Sequence, residues 1–112
     1  MSYDISLHAT VDLGGPEPHE FCATDIGNYT SNVSGMWTEA LGHRLGDLKD
    51  KTAGDCIDAL KQAVDAMEAD PAKYRAMNPA NGWGDYEGAL DYLRRLWVAC
   101  ASYPKATIWI SH

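Results

Sequence analysis

Apolar and polar residues alternate from Tyr3 to Leu13: Tyr3, Ile5, Leu7, Ala9, Val11 and Leu13 on one side, Asp4, Ser6, His8, Thr10 and Asp12 on the other. A period of two predicts a half-buried strand over residues 3–13, ended by Gly14-Gly15-Pro16. Residues 14–28 keep no clear period and read as a loop or irregular stretch, with at most a short strand at 20–24. The period then changes. Val33, Met36, Trp37, Ala40 and Leu41 recur at helical spacing and predict a helix over 31–41, capped by Thr30 or Ser31 and ended by Gly42. Cys56, Ile57, Leu60, Val64 and Met67 predict the strongest helix, 53–69, with Thr52 and Asp55 as a capping-box-like start. Asp70-Pro71 restarts a short helix that runs to about Met77 and stops at Asn78-Pro79. After a tight loop, Tyr86, Ala89, Leu90, Leu93, Leu96, Trp97 and Cys100 mark a helix over 85–102 with Asp85 as its cap. Lys105–Ser111 reads as a last short strand.

The predicted class is therefore α+β in a single domain, 1–112: three main helices plus a short one, packed on a small sheet. A lone strand leaves its backbone groups unpaired, so the N- and C-terminal strands are expected to pair with each other. No internal repeat or low-complexity segment interrupts this pattern.

Charge narrows the functional classes. The net charge of −7 disfavours a nucleic-acid polymer as partner, because such binding rests on Lys and Arg at phosphates. Residues 1–43 carry six acidic side chains and no Lys or Arg, while all nine basic residues lie between Arg44 and Lys105. That acidic face either solubilises the chain or attracts a basic partner. Apolar content of 46% with 22% charged residues is enough for one core without a metal or disulfide. The three cysteines, Cys22, Cys56 and Cys100, show no CxxC spacing, and Cys56 and Cys100 fall on apolar helical stripes. No signal-like start or spanning apolar run is present, so a cytoplasmic protein without a membrane partner is expected.

No catalytic or nucleotide-loop signature occurs. His19 beside Glu20 could join His8 or His43 at a metal, but no ligand spacing supports it. Cys22 near His19 could be a nucleophile, and Asp85, Glu87 or His19 could act as acid or base. Nothing in the spacing favours these, so an enzyme is the least supported class, and no cofactor or metal is expected. Two stretches do stand out. Asn28-Tyr29-Thr30-Ser31-Asn32 places more amide and hydroxyl side chains at one helix start than capping needs, and with the free N–H groups there would suit an anion such as phosphate or carboxylate. Asn81-Gly82-Trp83-Gly84-Asp85-Tyr86 flanks a Trp with glycines. The simpler reading is that Trp83 plugs the core and the glycines make the turn; the functional one is that Trp83 and Tyr86 wall a planar ligand. Arg94 and Arg95, further down the same helix, read as surface charges.

On these two stretches, together with Pro71-Ala72-Lys73-Tyr74 and Asn78-Pro79, the chain resembles a family of small, largely uncharacterised proteins from bacteriophages and bacteria, many of them actinobacterial. The resemblance spans about residues 1–110 and implies a site and a phage or bacterial setting; by analogy with other small phage proteins, an accessory or counter-defence role such as sequestering a nucleotide-derived signal is expected. The resulting expectation is a small polar, nucleotide-like ligand held by Asn28, Thr30, Asn32, Trp83 and Tyr86. The alternative is a protein-interaction module, with a homodimer through an open sheet edge as its simplest form.

Overall fold

The computed structural model describes residues 1–112. Strand β1 (Ser2–Val11) is followed by β2 (His19–Thr30), helix α1 (Ser34–Leu41), α2 (Ile57–Ala69), the short α3 (Pro71–Arg75), α4 (Tyr86–Ser102) and β3 (Thr107–Ser111). Single 3-10 turns occupy Ser31–Val33, Leu45–Leu48 and Ala53–Cys56. The fold is α+β, as expected, and the terminal strands do pair: Asp4 to His8 of β1 lie antiparallel to Ser111 to Thr107 of β3.

The sheet has three strands, however, in the order β2-β1-β3. The stretch 14–28 is not mainly loop, because most of it is a 12-residue strand paired antiparallel with β1 from Ser2↔Thr30 to Val11↔His19. Its sequence hides it for two reasons. Ile26 is its only fully buried residue, so no alternation of burial is imposed on it. Its register also slips twice against β1, leaving Ile26 and Ala23 unpaired as bulges, and each slip inverts the period. The bulge at Ile26 is held by Gly27, whose φ of 84° favours glycine and whose N–H donates to Asp25 Oδ1 at 2.8 Å.

The helices cover one face of the sheet only. Tyr3, Ile5, Leu7, Ile108 and Ile110 point into the core, where Trp37, Leu60, Met67, Tyr92, Leu93 and Leu96 meet them. Polar atoms carried inside are all paired. The Trp37 indole donates to the Ala89 carbonyl at 3.0 Å, and the Tyr92 hydroxyl donates to the Gly27 carbonyl at 2.8 Å. Because burial removes apolar surface from water at about 25 cal/mol per Å², this closed aromatic and aliphatic core is the main source of stability. Beyond His8 the β1–β2 ribbon outruns both β3 and the helices. Val11, Leu13 and Phe21 are therefore exposed, and the molecule is elongated, 53 × 26 × 18 Å.

Helix ends follow the sequence where a short acid is present. Asp70 accepts from Lys73 N–H at 3.3 Å, and Asp85 accepts from Gly88 N–H at 2.7 Å. Gly42 closes α1 at φ 82°. The Thr52–Asp55 capping box does not form, since Thr52 makes no side-chain cap and the segment starts as a 3-10 turn. No helix is long and apolar enough to cross a membrane.

Candidate functional site

The two sequence motifs meet. Asn28 and Thr30, two apart on β2, share the face of the sheet that the helices leave open, opposite Asp4 and Ser2 of β1. Asn32 follows in the 3-10 turn. The loop between α3 and α4 brings Asn81 and Trp83 alongside, and with Met1 and Ser2 these residues line one open groove of about 530 Å³.

Local hydrogen bonds hold the polar side chains in place. Thr30 Oγ1 accepts from the Asn32 backbone N–H at 3.3 Å and from Asn32 Nδ2 at 3.0 Å. Asn81 Oδ1 accepts from the Trp83 N–H at 3.0 Å, an Asx turn that fixes the loop. Asn78 Oδ1 accepts from the Tyr86 N–H at 2.8 Å at the other end of the loop. Capping and turn chemistry thus account for Thr30, Asn78 and Asn81, while Asn28, which makes no side-chain hydrogen bond within the chain, also lines the groove.

Trp83 is not a core plug: its side chain is 67% exposed. An indole left in water beside four short amide and hydroxyl side chains is an available stacking surface. Tyr86 belongs elsewhere. It is buried, its ring stacks on Tyr74 at 6.4 Å, and its hydroxyl donates to the Met67 carbonyl at 2.6 Å, closing the end of α2. It does not line the groove.

The glycines around Trp83 have a structural cause that the sequence does not show. A Cβ on Gly84 would come 2.5 Å from Thr30 Cγ2 and 3.0 Å from Val33 Cγ1. A Cβ on Gly88 would overlap the Tyr29 hydroxyl. The close approach that these glycines permit is therefore that of the β2 end itself, and the Asp85 N–H donates to the Tyr29 hydroxyl at 3.2 Å across the seam. Without both glycines the motifs could not touch. Gly84 also needs its φ of 90°; Gly82, at φ 74°, has open space around it and is required for the turn alone.

No Lys or Arg lines the groove. Arg94 and Arg95 are engaged with Glu68 at 2.7 Å and Asp91 at 3.0 Å. The remaining sequence candidates stand apart from one another. Asp85 caps α4, Glu87 pairs with Arg75 at 2.9 Å, and His19 lies at the exposed ribbon tip beside Phe21. Cys22 is exposed and pairs in register with His8, not with His19. No three His, Cys, Asp or Glu side chains are placed to hold a metal ion, and His43 is hydrogen-bonded to the Arg44 carbonyl. Sequence reasoning missed one cluster, Ser6, His8 and Glu20, on the same open face. Comparison with protein-family models, with curated proteins and with solved structures gave no match.

Proposed function

We propose that the protein binds a small, uncharged, planar polar ligand of nucleoside type in the groove between β2 and the loop before α4. One observation carries this reading: two motifs some 50 residues apart in sequence converge on a single groove, with an exposed Trp83 beside Asn28, Thr30, Asn32 and Asn81. Base stacking on an aromatic ring is worth about 1–3 kcal/mol, and short amides read base and sugar edges. No Lys or Arg side chain lines the groove, so recognition rests on the base and sugar of a nucleotide-derived molecule more than on a phosphate. Together with the resemblance to phage proteins, this supports a sequestering, counter-defence-like role.

The test is thermal unfolding against nucleosides, nucleotides, cyclic dinucleotides and ADP-ribose, repeated with Trp83→Ala. A ligand at one hundred times its Kd adds about 2.7 kcal/mol, which for a domain of this size raises Tm by roughly 10 °C. The expected result is a shift that a nucleoside gives as well as its phosphorylated form and that Trp83→Ala removes. A flat panel, or a shift indifferent to Trp83, overturns the proposal.

A second reading rests on the ribbon, where Val11, Leu13 and Phe21 expose apolar surface in a segment without a single Lys or Arg. Such a surface suits a homodimer or another protein partner. Light scattering that reports a monomer at all concentrations argues against the homodimer.

A further inference from the structure

Ser6, His8 and Glu20 form a hydrogen-bonded line on the open face of the sheet. Ser6 and His8 are two apart on β1 and so project on the same side. Glu20 comes from β2, where it pairs with Thr10, the next outward residue after His8. Ser6 Oγ lies 2.8 Å from His8 Nε2, and His8 Nδ1 lies 3.2 Å from Glu20 Oε1.

The order of atoms matters. A carboxylate on Nδ1 keeps the proton on that nitrogen and leaves Nε2 as an acceptor for the serine hydroxyl. The imidazole is held further by stacking on Trp109, with ring centroids 3.8 Å apart and planes 17° from parallel. The His8 side chain is largely covered, at 15% exposure, whereas Glu20 is half-exposed. Ser6 also lines a second open groove of about 420 Å³, whose wall includes Trp109 and whose one cation is Lys49. A nucleophile, a base in contact with it and a group orienting the base thus stand beside space for a substrate, the arrangement that activated serine requires.

We propose that Ser6, His8 and Glu20 constitute a hydrolytic site for small carboxylic esters. The Ser6 hydroxyl oxygen attacks the ester carbonyl carbon while His8 Nε2 takes its proton. The bond to the alcohol oxygen then breaks, and His8 returns the proton to the departing alkoxide. Water attacks the acyl-serine and gives a proton to His8. The acyl–Oγ bond breaks, the acid leaves, and the proton passes from His8 back to Ser6. The sum is ester plus water giving acid plus alcohol. Ser6 and His8 are the catalytic residues. Glu20 is a positioning residue that acts through the imidazole. Trp109 supplies the apolar wall for the acyl group, and Lys49, in a groove that also carries the Asp4 and Asp50 carboxylates, is the one cationic side chain available to a carbonyl oxygen as it becomes negative.

The 112-residue chain treated with a fluorophosphonate, followed by intact mass and peptide mapping, tests this directly, with p-nitrophenyl acetate hydrolysis as the turnover assay. The expected result is one adduct per chain, on Ser6, absent from Ser6→Ala. His8→Gln lowers both labelling and turnover on the order of 10²-fold or more, the ordinary contribution of a positioned base. Glu20→Gln lowers kcat at unchanged KM, and Glu20→Asp restores part of it, a pattern that loss of fold does not give. The idea is overturned if Ser6 stays unlabelled at saturating probe in a chain folded by circular dichroism, or if His8→Gln labels at the native rate.

Discussion

Replacing Gly88 with alanine tests the packing that brings the two motifs together. In an ordinary helix the change is favourable by about 0.5–1 kcal/mol, because alanine loses less backbone entropy. Here the new Cβ would overlap the Tyr29 hydroxyl and lie 2.5 Å from Tyr29 Cζ. The ring is stiff, and it is stacked on Tyr92 at 5.9 Å and set edge-on to Trp37 at 6.3 Å. To make room it must swing away. That breaks the hydrogen bond from the Asp85 N–H, worth about 1 kcal/mol, and the aromatic contact with Tyr92, worth about 1 kcal/mol. Residual overpacking adds roughly 1 kcal/mol more. Against the propensity gain, the net loss is about 2 kcal/mol, or very roughly 8 °C in Tm. Urea unfolding of the native chain, Gly88→Ala, Tyr29→Ala and the double variant measures it. With Tyr29 truncated the space is open, so Gly88→Ala should become neutral or stabilising there. If Gly88→Ala costs under about 0.5 kcal/mol in the native background, or the same in both backgrounds, the steric account is refuted.

Other expectations follow from single contacts. Trp83→Ala removes an exposed side chain and should change stability by no more than about 0.5 kcal/mol in the absence of ligand; a larger loss in urea unfolding would mean that Trp83 packs as a core residue after all. Tyr86→Phe deletes the donor to the Met67 carbonyl inside the core and should cost about 1–2 kcal/mol by the same measurement. Burial pushes the Cys100 thiol up to about 12, chiefly by desolvation, and raises Cys56 and Tyr86 for the same reason. The fold therefore favours the neutral thiol. That stability is fully present below the unfolded thiol value of about 8.5 and is lost as pH rises from there towards 12. Urea midpoints should be level from pH 7 to 8 and fall at pH 9.5 and above, and Cys100→Ala should flatten the decline. Iodoacetamide should alkylate Cys22 alone in the native chain, because Cys56 and Cys100 are buried.

The helices were legible because each buries one stripe and leaves the opposite face wet, and because Asp70, Asp85 and Gly42 end or begin them by short-range chemistry. The pairing of β1 with β3 was legible because lone strands must find partners. β2 was not, since two bulges broke its period and only Ile26 is pinned in the core. Missing β2 also hid the hydrolytic line, because Ser6 and His8 alone are an unremarkable outward pair on a strand. Glu20 joins them only once its strand is laid beside β1, and the Asp12-to-Pro18 turn with two glycines and two prolines was the available signal for that hairpin. The sequence leaves open whether the two polar stretches meet in space; the fold lines one groove with Asn28, Thr30, Asn32 and Trp83. Tyr86 was misplaced because its position next to the Trp83 loop says nothing about which way the first helical turn points. The glycines read from sequence as turn residues; the Tyr29–Thr30 end of β2, whose close approach Gly84 and Gly88 permit, lies over fifty residues upstream and leaves no local trace.

The middle strand of the sheet has one neighbour from the adjacent stretch of chain and one, β3, from nearly the far end of these residues. During synthesis the β1–β2 hairpin emerges first, and its Asp4-to-His8 edge waits unpartnered while the intervening helices are made, roughly 4–15 s at ordinary elongation rates. Ser6, His8 and Glu20 all belong to that early hairpin, but Trp109, which clamps the imidazole and walls the groove, arrives with β3. The nascent chain thus carries Ser6, His8 and Glu20 long before it carries the surface that orders them, so any activity of this face begins only when β3 docks.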